Sequence, residues 1–245
     1  VTPPAAVGRR TPAPARRPRQ AGTRGLIRPR WVALAALAGL AAAALGTDRV
    51  AAGAAEDRLA HRVAARQPAV VGTPEVTVEG FPFLLEAARG TFPAVSVRAD
   101  AHATGGLPVT ARVDLRDVSE RSGHYTAAGA DARFTVPFDA LASSLGPGSE
   151  VTADHGRLHL ARSVLGLPLD VTADVGLSGH TVTVRPVTAT LAGRPLDPAD
   201  TRFAAVFQQR DRTLPQLPIG LAASSVSVDA DGLTVHARAD RTTLT

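Results

Sequence analysis

Val95-Ser96-Val97-Arg98-Ala99-Asp100-Ala101-His102-Ala103, then Gly105-Gly106, then Val109-Thr110-Ala111-Arg112-Val113-Asp114-Leu115: this stretch decides the fold. Every second residue is apolar up to the glycine pair, and every second residue is apolar again beyond it. Successive side chains of an extended chain point to opposite faces, so such alternation buries one face and wets the other. The pattern predicts two half-buried antiparallel strands joined by a tight turn. The grammar recurs at His155-Gly156, beyond which Leu158 and Leu160 share a face. It recurs at Ser178-Gly179, which joins Leu169–Leu177 to Val182 and Val184. A last copy sets Asp231-Gly232 between Val226, Val228, Ala230 and Leu233, Val235, Ala237. Four hairpins predict an α+β protein, mainly one large antiparallel sheet, curved or folded, with a few helices.

Three segments carry helical signals instead. From Asp48 to Gln67, Ala55, Leu59 and Val63 recur every four residues, Asp48 is placed to cap the start, and Pro68 stops the run. Arg58, Arg62 and Arg66 form a second row, read as a solvated face or a contact with lipid phosphates. Asp139 through Leu145 sets Leu141 beside Leu145, and Gly146-Pro147 ends the turn. Asp197-Pro198-Ala199-Asp200 opens a third helix whose apolar face is Ala199, Phe203, Val206 and Phe207, ending near Arg210. Leu214–Ile219 is an extended apolar link to the last hairpin.

The net charge of +5 hides a division. Residues 1 to 47 hold eight arginines and no acid, so the remainder has 27 − 8 = 19 basic residues against 22 acids, or −3. A nucleic-acid-binding domain keeps its basic face in its folded part, so no nucleic-acid partner is expected. Trp31 to Gly46 is an uncharged run of mostly Ala and Leu. As a helix it spans ~24 Å, short of the ~30 Å hydrocarbon core. It reads as a thin transmembrane anchor or the apolar part of a signal peptide. Positive charge stays cytoplasmic, which sends the rest of the chain outside. The expected organisation is a disordered basic cytoplasmic tail (1–30), the membrane segment (31–47) and one extracytoplasmic domain (48–245) in the cell membrane or envelope.

Signals for chemistry are weak. There is no Gly-x-Ser-x-Gly elbow, zinc helix, P-loop or dinucleotide fingerprint. His155 and His159 have i, i+4 spacing but lie in a hairpin, where that spacing does not converge on a metal. Asp100, Asp114, Asp170, Asp174 and Asp229 fall on polar strand faces. With no cysteine there is neither a disulfide nor a thiolate metal site. The domain is expected to be non-catalytic, with no metal and no cofactor.

One local motif is more specific. Gly80-Phe81-Pro82-Phe83-Leu84-Leu85 follows the Val76/Val78 strand, and Phe92 comes soon after, so three of the seven phenylalanines lie together. Such a cluster either packs a core under a loop or lines the mouth of an apolar cavity. The block Pro74-Glu75-Val76-x-Val78-x-Gly80-Phe81-Pro82-Phe83-Leu84, with Gly90 and the Val95/Val97 strand behind it, resembles the actinobacterial LmeA-type phospholipid-binding proteins. Leu217-Pro218-Ile219-Gly220-Leu221, followed by Val226-x-Val228 and Asp231-Gly232-Leu233, is similar to the same family. The chain departs from the family at Leu85, where a polar residue is common. The resemblance covers roughly residues 45 to 240. It implies an elongated, tubular lipid-binding architecture and an envelope protein that binds phospholipid, such as phosphatidylinositol, and supports lipoglycan or envelope maintenance. The lipid-binding candidates are Phe81, Phe83, Leu84, Phe92, Phe203, Phe207 and Ile219, with Arg89 as headgroup partner. The competing expectations are an envelope scaffold with a filled core and a lipid-modifying enzyme, the latter lacking a visible polar cluster. The sequence names no protein partner.

Overall fold

In the computed structural model, which describes residues 29–103, 105–198, 200 and 211–244, each of the four turns joins two strands. The chain forms two compact units, residues 1–43 and 44–245, and both sheets belong to the second. The larger sheet contains β1 (Val70–Glu79), β2 (Thr91–His102), β3 (Pro108–Arg121), β4 (His124–Pro137), β11 (Ala222–Val228), β12 (Gly232–Ala239) and β13 (Thr242–Leu244). The order is β1-β2-β3-β4-β12-β11, with β13 also on β4. The smaller sheet contains β5 (Ser149–Asp154), β6 (Arg157–Val164), β7 (Leu167–Ser178), β8 (Thr181–Leu191), β9 (Arg194–Leu196) and β10 (Arg212–Thr213). Its order is β10-β8-β7-β6-β5, with β9 also on β8. Every pairing is antiparallel, and β11 of the larger sheet packs beside β7 of the smaller.

Register explains the core. Val76, Val97, Val113, Ala132, Ala237 and Ala223 stand opposite one another in turn across six strands. A one-residue slip in any strand would turn its apolar set to water, so this row fixes the register. The parallel row Val78, Val95, Leu115 and Ala130 joins the same buried cluster. In the smaller sheet Val151, Leu160, Val171 and Ala189 make the equivalent row.

The helices differ more from expectation. α1 runs without interruption from Pro29 to Arg66, so Asp48 lies inside the helix and does not start it. It cannot cap its own helix there, because the backbone N–H groups that follow it already have intrahelical acceptors. Ala52 and Ala60 of α1 are buried in the cluster of the larger sheet, with Ala51, Ala55 and Leu59 packed around them. Arg58, Arg62 and Arg66 are exposed. Among the described residues no helix is long and apolar enough to cross a membrane. α3 (Phe138–Leu145) matches its expected span within a residue. Gly146 ends it at φ 106° and ψ 170°, a positive-φ conformation that favours glycine, with its N–H bonded to the Ser143 carbonyl. Of the third expected helix only Asp197, Pro198 and Asp200 are described, with the Asp200 N–H bonded to the Asp197 carbonyl; the rest, including Phe203 and Phe207, lies outside the described residues, as does nearly all of the basic tail.

Candidate functional site

The Phe81–Leu85 block leads into a helix that begins at Phe83. α2 spans Phe83–Arg89, with Pro82 before it and Gly90 closing it by an N–H bond to the Ala87 carbonyl. Pro82 has no N–H and no side-chain acceptor to offer, so the first turn of α2 needs partners from elsewhere. The Pro82 carbonyl accepts from Leu85 and Glu86. The two donors ahead of them, Phe83 N–H and Leu84 N–H, go to the two carboxylate oxygens of Asp48, at 3.0 and 2.8 Å. Asp48 is only 4% exposed. It is a capping residue after all, for a helix that begins thirty-five positions later. About two turns further along α1, a Glu56 carboxylate oxygen accepts the Val78 N–H of β1 at 2.9 Å. Two acids of α1 thus clamp the β1–α2 corner.

The clamp sets the directions of the apolar side chains. Phe83 points inward, 7% exposed, and stacks on Phe92 of β2 with ring centroids 5.8 Å apart. Such a pair contributes ~0.5–1.5 kcal/mol beyond its area burial. Phe81, Leu84 and Leu85 point outward, 57%, 50% and 45% exposed. Glu86 turns its carboxylate under the corner, where a Cβ on Gly80 would lie 1.7 Å from its Oε2. Glycine leaves the carboxylate that space and adopts the φ of 144° found there, which a side chain would strain. Arg89, in the last turn, is exposed.

Ile219 arrives from a distant part of the chain and packs against the same buried cluster as Phe83 and Phe92. It sits in a single 3-10 turn, Pro218–Gly220, at φ 50° and ψ 29°. A β-branched residue in that region is a true outlier, costing roughly 1–2 kcal/mol. Its carbonyl accepts a short hydrogen bond from the Thr242 hydroxyl, which holds the turn onto β13. The structure therefore brings Phe83, Phe92 and Ile219 into one cluster and leaves Phe81, Leu84 and Arg89 on the surface above it.

Two shallow depressions lie elsewhere. One, of about 420 Å³, opens where the β1–β2 register shifts between Val71 and Glu75, and is bordered by Glu75, Arg98, Asp100 and Thr110. The other, of about 390 Å³, lies by the β6–β7 turn near Glu150, Arg162 and Asp170. None of the residues picked out from the sequence as lipid-binding lines either. His155 pairs with its neighbour Asp154 at 2.5 Å, Arg157 with Asp174 at 2.8 Å, and His159 lies 3.9 Å from Asp170. These are exposed contacts along hairpin faces, and among the described residues no three His, Asp or Glu side chains converge as a metal site would require.

Sequence reasoning missed Asp48, Glu56 and Glu86 as parts of this corner. Asp48 and Glu56 were legible as acids on one helix, but their partners lie more than twenty residues away and leave no local pattern. Comparison with known proteins then adds what geometry cannot. No curated protein and no solved structure matches the chain. The family model described as LmeA-like phospholipid-binding matches residues 46–238, which takes in the whole smaller sheet, all of the larger one but β13 and the last residue of β12, the Asp48 clamp and the Phe81–Phe92 corner. The chain belongs to the LmeA-like phospholipid-binding family.

Proposed function

We propose that the protein is an extracytoplasmic phospholipid-binding protein of the cell envelope that buries acyl chains against the Phe83–Phe92–Ile219 cluster. Residues 48–245 form the lipid-binding domain on the outer side of the membrane, held there by the 31–47 segment. Family membership is the observation that carries the reading. The local geometry supports it: half-exposed Phe81 and Leu84 adjoin buried Phe83 and half-buried Phe92 at one short helix, so an acyl chain entering there would meet apolar side chains. Phe203 and Phe207 belong to the same proposed lining, and Arg89, exposed at the end of α2, is the headgroup partner. Burial supplies ~0.8 kcal/mol per CH₂, so binding needs no catalytic group, metal or cofactor. The role is lipid or lipoglycan maintenance in the envelope, with phosphatidylinositol as one fitting headgroup.

A scaffold with a filled core is the competing reading, favoured by the low exposure of Phe83 and its stacking on Phe92. Mass spectrometry of organic extracts from the purified chain separates the two. Phospholipid in stoichiometric yield is expected, and lipid-free protein from a native membrane source refutes the lipid reading. A reporter fused after Thr245 tests the location: activity outside the cytoplasmic membrane is expected, and cytoplasmic activity defeats it.

A further inference from the structure

Three large apolar side chains, Phe81, Leu84 and Leu85, stand about half exposed on one seven-residue helix and the residue leading into it. Single exposed apolar residues need no explanation, but a contiguous group marks a surface that something covers. We propose that this corner rests in the interface of a phospholipid bilayer, as the contact through which lipid reaches the site; the inference rests on the phospholipid-binding and membrane-segment reading above.

The Asp48 clamp determines what covers the corner. Asp48 lies two residues beyond the end of the uncharged Trp31–Gly46 run, so a bilayer that holds the run leaves Asp48 at its surface. Phe83 N–H and Leu84 N–H lie 3.0 and 2.8 Å from the Asp48 carboxylate, and so share its depth. Leu45, also exposed, stands one turn before Asp48 on the same side of α1. At that depth a Phe and three Leu side chains face acyl chains, in the manner of an interfacial amphipathic surface. The charges agree with a surface containing anionic lipid. On α2 the acid, Glu86, is turned inward under Gly80, while Arg89 points to solvent. On α1 Asp48 is buried, while its neighbour Arg49 is exposed.

Because the chain has no cysteine, single introduced cysteines report position without background. The full chain carrying Leu84→Cys, and separately Leu85→Cys, is spin-labelled and reconstituted into phosphatidylcholine–phosphatidylglycerol vesicles. Leu165→Cys, at a fully exposed turn of the smaller sheet, is the aqueous reference (Leu165 is 99% exposed). Collision rates with oxygen and with a water-soluble nickel chelate are compared. At 84 and 85 oxygen collisions rise and nickel collisions fall relative to 165. Labels at 84 and 85 that behave like 165 overturn the proposal, and so does low collision with both reagents, which places the label inside the protein. Phospholipid extracted from the purified Leu165→Cys chain, whose substitution leaves the proposed lipid path untouched, separates the two failures. Aqueous labels with lipid still bound refute only the docking, whereas aqueous labels and no lipid refute the lipid-binding reading as well.

Discussion

Replacing Asp48 by Ala removes the acceptor for two backbone donors at once, and the two are not equivalent. The Phe83 N–H is buried with its side chain, so water does not replace the lost carboxylate oxygen. A stranded buried donor costs ~1–3 kcal/mol. The Leu84 N–H is only part-buried, and water takes over some of its bond, leaving about 0.5–1 kcal/mol, as in loss of an ordinary helix cap. The sum is about 1.5–4 kcal/mol. For a domain of this size each kcal/mol shifts the melting temperature by roughly 2–4 °C, so D48A should melt about 3–16 °C below the parent. Asp48→Asn keeps one carbonyl oxygen and should lose about half as much. Thermal unfolding by circular dichroism gives the shift, and amide exchange at Phe83 and Leu84 localises it. A D48A melt within about 1 °C of the parent, with both amides still protected, would refute the clamp.

The same geometry predicts further outcomes. Gly232 opens β12 at φ 152°, and a Cβ there would lie 2.1 Å from the Val136 carbonyl oxygen, so Gly232→Ala should cost more than ~2 kcal/mol. Gly129→Ala meets only the end of the Arg116 side chain, at 2.7 Å, and should cost less than ~1 kcal/mol; equal losses in the two melts contradict the account. Ala at His155, His159 or Asp174 removes only exposed pairs, so stability should change by less than ~1 kcal/mol and extracted phospholipid should stay unchanged. Loss of all lipid in one of these still-folded variants would point to chemistry at the hairpins.

The hairpins were legible because glycine-containing turns sit between strictly alternating runs, a signal that needs no knowledge of distant contacts. β4 was not. Its buried residues are Ala127, Gly129, Ala130 and Ala132, small residues with little strand preference and no strict alternation, and its turn from β3 at Ser122-Gly123 stands beside charged residues. What makes β4 a strand is its place between β3 and β12, under the alanines of α1. α2 was missed because seven residues are too few for a helical period, although Pro82 and Gly90 bracket it as start and stop. Phe81, Phe83 and Leu84 were chosen as one lining, yet the helix divides them, one face into the core and the other to the surface. That division depends on the angle at which Asp48 holds α2. Ile219 was chosen with them from the sequence, although the Thr242 bond that holds its turn against β13 leaves no local pattern.

Phe83→Ala, with thermal unfolding and co-purified phospholipid measured on the same preparation, tests the central claim most directly. If Phe83 only fills a core, its truncation should cost ~3–5 kcal/mol, as large-to-small core changes do. If acyl chains share the space beside Phe92 and Ile219, part of the cavity is refilled, the loss of stability is smaller, and lipid occupancy falls instead. The account predicts a folded variant with reduced phospholipid relative to a lipid-loaded parent. Severe destabilisation with no lipid in either protein would contradict it.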